Sequence, residues 1–220
     1  MKNAEVEFHI SGNTNSSNVS QGLQSPSAYQ NKKDHEIWAE FKSGSRAAFI
    51  YIYNTYFDDL YSYARQFTND LDLIKDAIQD IFIRLNESRH RLSDIYNIKF
   101  YLYKSIKREI INAIKLKKDS ESRIAEVQIL EFQYEASIEA TLIEKQMDEE
   151  TINKIRDAAN QLNERQREII FYHFFEGFSI REIKELMKFN SLQATHNLLN
   201  RALNHLKKTL ISLFILFMLI

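Results

Sequence analysis

Apolar residues recur every three or four positions through most of the chain, and the breaks in that rhythm divide it into helices. Ile37, Trp38 and Phe41 form a short stripe that stops at Ser43–Gly44–Ser45. Phe49, Tyr53, Tyr56, Leu60, Ala64 and Phe67 line one face of a second helix, broken by Thr68–Asn69–Asp70. Leu71, Ile74, Ile78, Ile81, Phe82 and Leu85 predict a third, and Phe100, Leu102, Tyr103, Ile106, Ile110 and Ile114 a fourth. A polar loop, Arg89 to Asn97, joins the last two. Four helices over 34–117 are enough to close one core.

After Lys118 the pattern weakens, so 118–138 is expected to be a linker. The stretch 121–150 is acidic, and its second half leads into a helix through Ile152 and Ile155 that ends at Leu162–Asn163. A helix from Glu164 to Phe175 stops at Gly177, and Ser179 to Met187 forms another. Lys188–Phe189–Asn190 is a turn, and a last helix begins at Ser191 and carries Leu198, Leu199, Ala202, Leu203 and Leu206. The second domain is expected over 139–208.

The two ends differ from the middle. Residues 10–31 are dominated by Ser, Asn, Gln, Gly and Thr, too polar to offset chain entropy by burial, so 1–33 is read as a disordered tail. Residues 209–220 form an apolar tail. Its eleven residues from Leu210 to Ile220 would reach, as a helix, about 16 Å, against a bilayer core of about 30 Å. The tail is therefore expected to dock on the chain's own helices or on a partner rather than to enter a membrane.

Composition agrees with an all-α chain of two helical domains joined by a linker. Among 220 residues there are four glycines and one proline, too few turn formers for a sandwich, barrel or doubly wound sheet. The absence of cysteine removes disulfides, zinc–thiolate sites and thiol nucleophiles. The N-terminus has no basic-then-apolar signal, which fits a cytoplasmic protein. No HExxH, Walker loop, GxGxxG or GxSxG occurs, and the histidines lack metal-ligand spacing. The reading is of a non-enzyme with no catalytic residue, no metal, no cofactor and no small-molecule substrate.

Three constellations carry chemistry. Ser179 and Ser191 are plausible N-caps that frame a helix-turn-helix, whose last helix can enter a DNA major groove. That helix offers Gln193, Thr195, His196, Asn197 and Asn200 toward base edges. Arg181 and Arg201 suit phosphates. The fourth helix is basic, with Lys99, Lys104, Lys107, Arg108 and Lys115 beside Arg89 and Arg91. Phe100 and Tyr103 fit the apolar stripe, leaving Tyr101 as the aromatic expected to be exposed and able to stack on an unpaired base. The third helix has Asp76, Gln79, Asp80 and Arg84 on its polar side, a pattern that by itself means only a wet face.

Together, DAIQDIFIRL (76–85), FYLYKSIKREIINAIK (100–115), LNERQREIIFYHFFEGFSIREIKELM (162–187) and SLQATHNLLNRALNHLKK (191–208) resemble the extracytoplasmic-function (ECF) group of bacterial sigma-70 factors. The resemblance spans roughly 36–208. It implies a region 2-like domain over 34–117 and a region 4-like helix-turn-helix domain over 139–208. It further implies promoter recognition, strand opening and transcription initiation with core RNA polymerase, and an anti-sigma factor as a further partner. Asp76, Gln79 and Asp80 then become polymerase contacts. Arg89, Arg91, Lys99, Tyr101, Lys104, Lys107, Arg108, Asn112 and Lys115 become contacts to the −10 element. Arg181, Ser191, Gln193, Thr195, His196, Asn197, Asn200 and Arg201 become contacts to the −35 element. Asn86, Arg108, Lys184 and His196 depart from residues common in the group, and Lys184 must face solvent for the hairpin to close. The competing readings are a stand-alone helix-turn-helix transcriptional regulator, which binds duplex DNA without polymerase, and a helical adaptor with solvated basic faces.

Overall fold

A computed structural model describes residues 26–120, 158 and 161–218, with side chains over 28–117, 158 and 161–208. Its described residues form helices and turns without strands. The elements are α1 (Asp34–Lys42), α2 (Arg46–Ala64), α3 (Leu71–Ser88), α4 (Ile98–Ser120), α5 (Glu164–Ile170), α6 (Ile180–Leu186) and α7 (Leu192–Met218). Pro26–Tyr29 and Arg89–Arg91 are 3-10 turns, and Phe171–Phe175 is a π-type turn.

Local chemistry sets the helix ends. Ser45 and Asp70 cap α2 and α3 by accepting from the N–H groups of Ala48 and Leu73. Asn97 does the same for α4 through the N–H of Phe100 at 2.9 Å. Asn163 with Gln166 and Ser179 with Glu182 form capping boxes at α5 and α6. Gly44, at φ +100°, and Gly177, at φ +69°, turn the chain where a side chain would be strained.

The first four helices bury Trp38, Phe41, Ile52, Leu60, Ile74, Ile78, Phe82, Leu102 and Ile106 against one another. α5 and α6 each pack on α7, burying Ile169, Ile183, Leu186, Leu198 and Ala202. Lys184 is half-buried in that hairpin rather than fully in solvent.

Four features differ from the sequence-based expectations. The helix expected over Glu164–Phe175 is regular only to Ile170, and then widens into a π-type turn. Within that turn the adjacent rings Phe171 and Tyr172 are both buried, Phe171 against Tyr63 and Tyr172 against Phe178. The tail expected over 1–33 overlaps the described residues from 26 onward. There Tyr29 is 1% exposed and its hydroxyl donates to Glu40 at 2.9 Å, so packing starts before residue 34. The backbone of α4 passes the expected boundary at 117 and runs to Ser120, and α7 passes 208 without a break. The expected helix through Ile152 and Ile155, and most of the linker, lie outside the described residues.

The fourth difference governs the site. Two self-contained cores were expected, but the buried side chains form one cluster. Phe178, just before α6, packs edge-on against Phe100 and Tyr103 of α4 at 5.9 and 5.3 Å between ring centroids. Phe171 stacks on Tyr63 of α2 at 6.1 Å. The C-terminal helices therefore lie on α2 and α4.

Candidate nucleic-acid interface

α3 separates its two sides cleanly. Ile74, Ala77, Ile78, Ile81, Phe82 and Leu85 are buried, whereas Asp76, Gln79 and Asp80 are exposed. Positions i, i+3 and i+4 place the three polar groups in one patch.

The loop before α4 is held at both ends. Trp38 donates its indole N–H to the carbonyl of Ser93 at 3.0 Å, and the N–H of Ile98 donates to the Asp34 carboxylate at 2.7 Å. Between these anchors Tyr96 is 89% exposed. Arg91 is exposed too, but Arg89 is half-buried, donating to the carbonyl of Asn86 at 2.9 Å beside Gly44. Tyr101, expected to be the free aromatic, is half-buried with its ring 5.1 Å from Trp38. Burial raises its phenol pKa. The exposed aromatic beside α4 is therefore Tyr96, missed because it sits in a polar loop off any stripe.

α4 presents two polar stripes about 100° apart. One carries Ser105, Arg108, Asn112 and Lys115, of which the last three are exposed. With Arg84 and Ser88 of α3 it borders an open groove of about 420 Å³. Arg84 is ion-paired to Glu109 across that groove. The other stripe carries Lys104 and Lys107, and with Lys99 it faces the C-terminal helices. Lys99 pairs with Glu176 at 2.7 Å and with Asp59 at 3.3 Å. Burial pulls the Lys99 ammonium down, but these two carboxylates outweigh it and hold it above its ordinary value. Lys104 pairs with Glu185 at 2.8 Å. Lys107 is enclosed by Glu168 and donates to the carbonyl of Leu186 at 3.1 Å. Next to it the hydroxyls of Tyr63 and Tyr172 share a buried hydrogen bond, and burial pushes both phenols well above their ordinary value. Of the residues grouped for the −10 element, Lys99, Lys104 and Lys107 are thus engaged within the chain.

At the N-terminal half of α7, Gln193, His196, Asn197, Asn200 and Arg201 are all exposed, as are Arg181 and Ser191. Ser191 accepts from the N–H of Ala194 at 3.1 Å and serves as a cap. Gln193 donates to the Asn197 side chain at 2.9 Å, which aligns two amides on one face. Thr195 is the exception. It is 0% exposed and its hydroxyl donates back to the carbonyl of Ser191 at 3.1 Å. It belongs to the packing of the hairpin and cannot reach a base.

This is an all-helical scaffold with an acid–amide patch, a basic helix and a helix-turn-helix, the parts of a DNA-binding transcription subunit. Known families agree. Sigma-70 region 2 matches residues 52–119, and sigma-70 region 4 matches 152–206. The ECF RNA polymerase sigma factor SigX of Bacillus subtilis (strain 168) is 24% identical over 142 residues, which is 64% of this chain and 73% of that protein. The structure of CnrH in complex with the cytosolic domain of CnrY has a TM-score of 0.50 at 16% identity, covering 81% of this chain and 97% of that one. The sigma factor RpoE in complex with the anti-sigma factor NepR from Bartonella quintana has a TM-score of 0.45 at 19% identity, covering 72% and 93%. The chain belongs to the sigma-70 family as an ECF-type sigma factor. Its partners are core RNA polymerase and promoter DNA. Among the described residues no helix is long and apolar enough to cross a membrane.

Proposed function

We propose a division of labour among the three faces. Asp76, Gln79 and Asp80 dock the chain on core polymerase. Arg91, Tyr96, Arg108, Asn112 and Lys115 meet the −10 element, with Lys99, Lys104 and Lys107 joining them once released. Gln193, His196, Asn197 and Asn200 read the −35 element, with Arg181 and Arg201 on phosphates. The single observation that carries this reading is the exposure of Gln193, His196, Asn197 and Asn200 along one helix, while Thr195, Leu198 and Leu199 between them are buried.

The mechanism needs binding energy but no catalytic group. Asn and Gln amides pair with adenine edges in a major groove. Extruding a base costs a few kcal/mol. Stacking on an exposed aromatic such as Tyr96 returns about 1–3 kcal/mol per base. With a net charge of −1, the electrostatic attraction of the free chain to DNA is small, so tight binding depends on polymerase. Its place is the cytoplasm, with polymerase and chromosome, and an anti-sigma factor is a further partner expected on family grounds. The test is transcription in vitro with purified core polymerase over a promoter library. Selective initiation that requires the chain is expected. DNA binding without polymerase and no initiation with it would instead mark a stand-alone regulator.

A further inference from the structure

α7 keeps one apolar spacing well past the hairpin to which it belongs. Leu199, Leu203, Leu206, Leu210, Leu213 and Phe217 stand alternately four and three residues apart on a helix unbroken from Leu192 to Met218. The sequence carries the count on to Ile220. A four–three alternation sustained over three heptads fills the a and d positions of a coiled coil, with Leu203 at a and Leu213 at d.

Inside the hairpin this seam is already covered. Leu199 is 6% exposed, because α5 and α6 pack there on α7. Leu203, the next seam position, is 37% exposed. Arg201, Asn204 and Lys208 are exposed on the other side, so the turns leaving the hairpin have an apolar edge and a wet back. The apolar stripes of α1 to α6 are buried in the common cluster, so no other described helix has a free seam of this spacing. What interlocks with a repeat of 3.5 residues is another repeat of 3.5 residues, and a second α7 supplies one.

We propose that α7, from Leu203 onward, pairs with α7 of a second copy of this chain as a parallel coiled coil. Parallel alignment sets each seam position against its equal. The antiparallel one would set Lys207 and Lys208 beside the partner's apolar turns. The seam lies about a third of a turn round α7 from Gln193, His196, Asn197 and Asn200, so pairing leaves the side proposed to face DNA clear. Paired helices run about 8–10 Å apart, whereas recognition helices in successive major grooves are about 34 Å apart. The pair therefore reads one duplex site at a time, with the second copy held beside the first.

Sedimentation equilibrium on the full-length chain is expected to show one chain giving way to two as concentration rises. Leu203→Lys and Leu213→Lys are each expected to weaken pairing about a hundredfold, because either puts an unpaired charge in the seam. Ile215→Lys, at the f position farthest from the seam, is expected to leave it within a factor of about two. The chain has no native cysteine, so oxidised Leu206→Cys is expected to link two chains through equivalent residues, which only the parallel seam brings together. Circular dichroism checks each variant's fold, and Leu213→Lys, past the hairpin, carries the test alone if Leu203→Lys unfolds. A chain that stays single at every concentration would overturn the proposal, as would pairing without the Leu206→Cys link. Equal losses from Leu213→Lys and Ile215→Lys would also overturn it, since a coiled coil distinguishes the two positions. Equal losses of binding to phosphatidylglycerol vesicles, with no pairing in solution, would give the segment to a lipid surface instead.

Discussion

Gln193 and Thr195 stand two positions apart on α7 and face opposite ways, one exposed and one at 0% exposure. Gln193→Ala is expected to relax preference at one upstream base pair by about 1–3 kcal/mol, read by competition among promoter variants. Thr195→Ser keeps the buried hydroxyl and is expected to leave that preference unchanged; a shifted preference would restore Thr195 to the reading face. The aromatics divide in the same way. Tyr96→Ala should lower open-complex formation by about 1–3 kcal/mol while leaving the melting temperature alone. Tyr101→Ala should lower the melting temperature, because it strips a ring from Trp38. Such distinctions follow from the neighbours a side chain meets. Residue type alone made Thr195 a base reader and Tyr101 an exposed stacker, since both have suitable chemistry.

α3 shows what a single element can and cannot reveal from its own sequence. Its apolar spacing places Ile78 inward, and Ile78 is 0% exposed. Ile78→Ala is expected to cost about 2–5 kcal/mol in chemical denaturation. Asp76, Gln79 and Asp80 are outward by the same arithmetic, but periodicity could assign them nothing beyond solvent. A paired Asp76→Lys and Asp80→Lys change is expected to abolish co-purification with core polymerase while leaving the melting temperature within a few degrees. Retained binding would place docking elsewhere. At α6 the local signal was stronger, because Ser179 and Glu182 form the expected capping box. Ser179→Ala should cost about 1 kcal/mol. That Glu182 also holds Asn97 of the other domain was not legible, since the partner lies 85 positions away in the chain.

The packing of the two halves into one cluster makes the whole molecule sensitive to alkali. Tyr63, Tyr103 and Tyr172 are kept neutral by burial, with phenols well above the ordinary value of 10.0. In the unfolded chain these phenols ionise from about pH 10, whereas in the folded chain they keep their protons. Unfolding therefore becomes easier as pH rises past that point. Lys99 acts in the same direction. Its folded value is raised, so its stabilising share is complete below the unfolded value, about 10.4, and is lost as pH climbs through the folded one. Denaturant midpoints are expected to be level from pH 7 to 9 and to fall above pH 10 together with tyrosinate absorbance. A fall that begins below pH 9 would show that these groups do not govern it.

Within its own few turns, each helix depends on neighbours three or four residues away, and that much the sequence determined alone. The helices of the first domain, the breaks at Ser45 and Asp70, the caps at Ser179 and Ser191, the helix-turn-helix and the division of α3 into wet and dry sides all follow from such local spacing. The π-type turn at Phe171–Phe175, the burial of Thr195 and the engagement of Lys99, Lys104 and Lys107 were decided only by tertiary structure. Each depends on a surface brought from elsewhere, and the lysines on carboxylates 61 to 81 positions distant. Charge and shape complementarity between remote segments leaves no periodic trace in either one, so only the folded chain reveals that its basic helix already holds an anionic partner.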